Sequence, residues 1–196
     1  TPFGHAGQDA LNDCMQDHGG FEHNLQSLRI VDALEERYAA FDGLNLMYET
    51  REGILKHCSP RNARLLGELG QRFIDKRQPS IEAQLANLCD EIAYNNHDID
   101  DGLRSGLINL EQLAEVPVFA RSRAAVEVEY PGLSGRRLIH ETIRRMINLM
   151  AVSLIRETSA NIKLHGVKTL EDVHGAPRMV AYGEALQEDL QLLRVF

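Results

Sequence analysis

Between Asn87 and Gly102 the sequence reads NLCDEIAYNNHDIDDG, five acids and one histidine in sixteen positions. Carboxylates are ligands for hard cations, and a histidine can carry a proton near neutral pH. Whether they can act together depends on which face of a helix they share. At about 100° per residue, Tyr94, His97, Asp98 and Asp101 all fall within about 80° of Asp90. Ile81, Leu85, Leu88, Ile92, Ile99 and Leu103 fall on the opposite side. A solvated face is the ordinary explanation of an acidic stripe. Here, however, no lysine or arginine occurs from Gln78 to Gly102, so the usual i,i+4 partners of surface acids are missing. A tyrosine in mid-stripe, with asparagines beside it, suits hydrogen bonding to a ligand. A divalent cation would use such carboxylates.

Other residues could carry chemistry. His5 stands among glycines in PFGHAG, and His23 stands in FEHNLQS, near the start of a helix where unpaired N–H groups favour anions. Lys56, His57, Arg61 and Arg64 form a basic cluster that could touch phosphate or be ordinary surface. Arg144 and Arg145 suit a subunit interface equally well. His18, His140, His165 and His174 show no ligand spacing. Cys14, Cys58 and Cys89 follow no CxxC spacing, and no signal peptide is evident, so reduced thiols and a cytoplasmic location are expected.

The elements that must position these groups read as helices. With 196 residues, 43% of them hydrophobic, the chain is long enough for a buried core and is expected to form one domain over 1–196. A net charge of −8 argues against general nucleic-acid or membrane-surface binding. After Gly19-Gly20, the spacing of Leu25, Leu28, Val31 or Asp32, and Leu34 or Glu35 predicts an amphipathic helix of about 17 residues. Ser59-Pro60 predicts a cap and first-turn proline, with Leu65, Leu66, Leu69, Phe73 and Ile74 on one side of the helix that follows. Pro79-Ser80 opens the acidic helix, which runs to Gly102 or Gly106. VEVEY alternates like a short strand, but its alanine-rich lead-in favours helix. MINLMAVSLI, flanked by arginines, is too short to span a bilayer and predicts a core helix from Arg136 to about Thr158. Lys163 to Gly183 reads as loop, with a small strand or hairpin near Met179–Tyr182, and a last helix begins near Glu184. The expected fold is all-α, a helical bundle with irregular structure or a small hairpin near its C-terminal end.

TPFGHAGQDAL, GGFEHNLQSLRIV, GLNLMYETREGILKH, CDEIAYNNHDIDDGL and RRMINLM, in this order, resemble the bacterial dGTPase-like branch of the HD-domain phosphohydrolases. The resemblance runs from Thr1 to about Ser159. It implies an HD-type helical domain that hydrolyses a dNTP to deoxynucleoside and inorganic triphosphate with a divalent metal, Mg²⁺ or Mn²⁺. It matches the metal's distant aspartate to Asp90, and implies a histidine and an adjacent His-Asp pair upstream of this sequence, which is expected to be cut at both ends. It assigns His5 the protonation of the leaving 5′ oxygen, and His23 contact with substrate phosphate, paired with Glu22 or His5. Tyr94 would stack on the deoxyribose and exclude a 2′ hydroxyl, and Asp98 would accept a hydrogen bond from the 3′ hydroxyl. Gln8 occupies a position where relatives often carry an acid that would orient His5. A homo-oligomer, dimer or higher ring, is also implied. Two alternatives remain open: a nucleotide-binding regulatory or assembly protein without turnover, and a phosphohydrolase acting on another nucleotide.

Overall fold

The computed structural model describes residues 3–55 and 58–196, so the Lys56 and His57 part of the basic cluster lies outside the described residues. The described residues are helical throughout and form no strand, only isolated bridges between Glu36 and Gly43 and between Tyr38 and Phe41. The fold is all-α. Two compact units divide the chain: Thr1–Gln84 with Thr169–Pro177, and Leu85–Lys168 with Arg178–Phe196.

In the first unit, α1 spans Gly4–Cys14, α2 His23–Arg29, α3 Tyr48–Ile54, α4 Pro60–Ala63 and α5 Glu68–Asp75. The helix expected to run about 17 residues from Gly20 is shorter. After α2 the chain widens into a π-turn over Ile30–Leu34 and stops. The loop beyond folds back on it: Leu44 N–H donates to the Val31 carbonyl at 2.7 Å, and Gly43 N–H to that of Glu35 at 3.0 Å. Gly43 has φ +69°, and a Cβ there would meet the Asp32 carbonyl oxygen at 2.3 Å. Arg51 on α3 grips both carboxylate oxygens of Asp32, at 2.8 and 2.6 Å. These partners outcompete continued helix.

The Ser59-Pro60 start is as expected, with Ser59 Oγ accepting from Asn62 N–H. The helix it opens breaks at Gly67 into α4 and α5, because α5 crosses so close that a Cβ on Gly70 would sit 1.8 Å from the Ala63 oxygen. Leu65 and Ile74 are exposed, while Leu69 joins Leu28 and Leu55 in the core, with Leu66 and Phe73 packed against them. Beneath lies a buried ion pair, Arg72 Nε to Glu52 Oε1 at 2.8 Å. The loop expected from Lys163 contains one further short helix, α10, over Leu170–Gly175, closed by a capping box between Thr169 and Asp172.

Helix α6, Ile81–Ser105, begins with Ser80 Oγ accepting from Ala83 N–H and carries the acidic stripe into the second unit. Leu88, Ile92 and Ile99 are buried as the periodicity requires, whereas Leu85 stays exposed. After α7, Leu110–Leu113, the VEVEY stretch ends helix α8, Pro117–Glu129. Helix α9 spans Gly135–His165, longer than expected, and buries Leu138, Thr142, Met146, Met150 and Leu154 at every fourth position. Burying the leucine and methionine side chains contributes about 1.5–3 kcal/mol each. The 178–183 segment is irregular rather than a hairpin, since α9 side chains take its backbone bonds: Asn161 Nδ2 donates to the Met179 carbonyl, and Gly183 N–H donates to Ser153 Oγ. Helix α11 covers Glu184–Val195. Among the described residues no helix is long and apolar enough to cross a membrane.

Candidate functional site

Two groups of candidate residues take shape, one in each unit. In the first, α1 and α2 bring His5 and His23 to one cavity of about 190 Å³, lined also by Gly4 and Gln8. The turn between the helices makes this possible. Asn12 Oδ1 on α1 accepts from Phe21 N–H at 2.9 Å, and Gly20 N–H donates to the Met15 carbonyl at 2.8 Å. Gly20 has φ +82°, and a Cβ there would press on Asn12 Oδ1 at 2.7 Å. Glycine is what that backbone and that contact allow.

Glu22 caps α2, accepting from the backbone N–H groups of Asn24 at 3.1 Å and Leu25 at 2.9 Å. Its Oε1 also lies 3.1 Å from His23 Nδ1. The same Nδ1 is hydrogen-bonded to Gln8 Oε1. The expected pairing of His23 with Glu22 is thus present, while Gln8 meets His23 and not His5. The sequence held a signal for the cap, an acidic residue directly before the first helical turn. It held none for the Gln8 contact, which joins residues fifteen apart.

In the second unit, Asp90, Tyr94 and Asp98 follow one another at four-residue spacing on the exposed face of α6, with His97 and Asp101 also exposed. Tyr94 is 67% exposed. A rise of about 1.5 Å per residue gives about 12 Å from Asp90 to Asp98, a length on the scale of a nucleoside. This face is held by the other side of the helix. Glu91 pairs with Arg194 of α11, and Asn96 donates to the Ile92 carbonyl at 2.7 Å. Tyr182 is buried beside this pair; burial pushes its hydroxyl strongly up, and Glu91 adds to the effect. Among the described residues no group of three His, Cys, Asp or Glu side chains converges to hold a metal ion. Asp90 therefore offers one carboxylate and not a complete ligand set.

Comparison with known proteins fits these motifs. The chain is 66% identical over all of its 196 residues to a deoxyguanosinetriphosphate triphosphohydrolase-like protein of Azoarcus sp., and 63% and 56% identical to proteins of the same description from Thiobacillus denitrificans and Nitrosomonas europaea. The chain belongs to the deoxyguanosinetriphosphate triphosphohydrolase-like family. Each alignment covers 100% of this chain and 52% of the relative, so the chain spans about half the length of the curated relatives it matches. No family model matches it. In this chain His5 and His23 line one cavity, and Asp90, Tyr94 and Asp98 share one exposed face of α6.

Proposed function

We propose that this chain contributes to a deoxynucleoside triphosphate triphosphohydrolase. The observation that carries the reading is the meeting of His5 and His23 at one cavity, in a chain whose relatives bear that description. In the proposed reaction a water oxygen bonds to the α-phosphorus while the bond from that phosphorus to the 5′ oxygen breaks. The products are deoxynucleoside and inorganic triphosphate. An alkoxide leaves poorly at neutral pH, so the 5′ oxygen needs a proton, which His5 supplies. His23 contacts the phosphate. Tyr94 lies along the deoxyribose and crowds the place of a 2′ hydroxyl, and Asp98 accepts from the 3′ hydroxyl. A bound Mg²⁺ or Mn²⁺ would neutralise phosphate charge. Asp90 would be one ligand; the described residues do not fit a complete site for the ion. The same reading carries a homo-oligomer acting in the cytoplasm.

The test is incubation of the protein, at the full length of its relatives, with each dNTP and Mg²⁺ or Mn²⁺. Deoxynucleoside and triphosphate are the expected products, and His5→Ala is expected to lower kcat by about 10²–10⁴. Release of monophosphate with pyrophosphate, or nucleotide binding without turnover, contradicts the proposal.

A further inference from the structure

The surroundings of one ring nitrogen carry an inference beyond the roles given above; it rests on the reading of His23 as the phosphate contact. His23 Nδ1 faces two oxygens at once, Gln8 Oε1 and Glu22 Oε1. A carboxylate oxygen and an amide carbonyl oxygen both accept, so the nitrogen between them carries the proton. No hydrogen-bond partner for Nε2 is found among the described residues.

We propose that Gln8 and Glu22 are positioning residues that together lock His23 as the Nδ1–H tautomer, leaving Nε2 as the nitrogen that takes up a proton and then donates to an anionic phosphate oxygen. The two anchors come from different elements, which fixes the ring's direction as well as its proton. Glu22 cannot swing away, because Asn24 N–H, Asn24 Nδ2 and Leu25 N–H all hold its carboxylate. Gln8 is held through α1, which the Asn12–Phe21 bond ties to the start of α2.

The amide at position 8 also decides charge. When Nε2 gains a proton and meets phosphate, Glu22 balances the imidazolium, and Gln8 adds an acceptor with no second negative charge. A carboxylate at 8 would favour the imidazolium further but repel the phosphate it is meant to bind. Among the described residues, His5 lines the same cavity, and the Cys58 thiol feels the Glu22 charge.

Two-bond ¹H–¹⁵N imidazole spectra of the ¹⁵N-labelled chain read the tautomer directly, whether or not the chain turns over substrate. At a pH where the rings are neutral, His23 is expected to show a protonated Nδ1. Inorganic triphosphate is expected to perturb Nε2 and spare Nδ1. Gln8→Leu should move the ring toward the Nε2–H form, and Glu22→Gln, which keeps an oxygen for the helix cap, should move it further. Gln8→Glu should weaken the triphosphate response. A ring already in the Nε2–H form, or one unmoved by both Gln8→Leu and Glu22→Gln, overturns the proposal. In the longer protein, Gln8→Leu is expected to lower kcat about tenfold or more with a smaller change in KM. If the unsubstituted protein hydrolyses no dNTP, the functional reading falls, and the tautomer still decides this one.

Discussion

Glu22 answers three donors with one carboxylate, two backbone N–H groups and an asparagine amide, and lies 3.1 Å from a histidine ring nitrogen. A side chain so engaged loses its rotamer freedom, and the ring it touches inherits that rigidity. Neighbouring groups feel its charge. Cys58 is half-buried and donates its S–H to the Ser59 carbonyl at 3.6 Å, while Cys14 and Cys89 are exposed. Burial pushes the Cys58 thiol up, and Glu22 pushes it further in the same direction. Because the thiolate is the nucleophile, a raised thiol reacts more slowly at a given pH. With an aromatic disulfide reagent near pH 8, Cys14 and Cys89 are expected to react in a fast phase and Cys58 in a slower one. Cys58→Ser should delete the slow phase alone, and three equally fast thiols would contradict this account.

Helices α3 and α5 meet over Glu52 and Arg72, whose side chains are 1% and 9% exposed. Burial pulls the Arg72 guanidinium down, and Glu52 pulls it back up. The Ser80 N–H, at the start of α6, also points to Glu52 Oε2 at 3.4 Å. Removing one member of such a pair strands the other charge. Glu52→Leu is expected to cost about 3–5 kcal/mol in urea denaturation, and adding Arg72→Met should recover most of that loss. If the double variant is no more stable than Glu52→Leu, the stranded charge is not the cause. Elements whose causes are local were legible in the sequence: the Ser59-Pro60 and Ser80 starts, the two-faced α6, and VEVEY as helix. The Thr169–Asp172 box was equally local, a capping signature within reach of sequence reading. The stop at Leu34 and the break at Gly67 were not, since they depend on Leu44 and Gly43 returning to the π-turn and on Gly70 meeting Ala63. The site shows the same division. Helical period put Asp90, Tyr94 and Asp98 on one face, and the family motifs singled out both His5 and His23, but only the fold brought Gln8 to His23.

Across the whole chain, acids outnumber basic residues by 29 to 21, and several arginines are already paired with carboxylates: Arg121 with Asp189, Arg144 with Glu141, Arg145 with Glu129 and Arg194 with Glu91. That negative balance disfavours condensation on a polyanion. The chain is expected to pass through a heparin column at about 0.15 M salt, and retention there would contradict the charge reading. A phosphorylated small molecule asks less, since one cavity and a few donors suffice. The first unit is also discontinuous in sequence, completed by Thr169–Pro177 after the chain has left it at Gln84. Arg77 pairs with Glu171, and Gln78 N–H donates to the His174 carbonyl. During synthesis those two partners emerge only after residues 85–168, so the histidine-bearing half must wait, unfinished, through the making of more than eighty intervening residues, about 4–17 s at typical elongation rates. For that interval its apolar leucines are exposed to whatever chaperone or aggregate reaches them first.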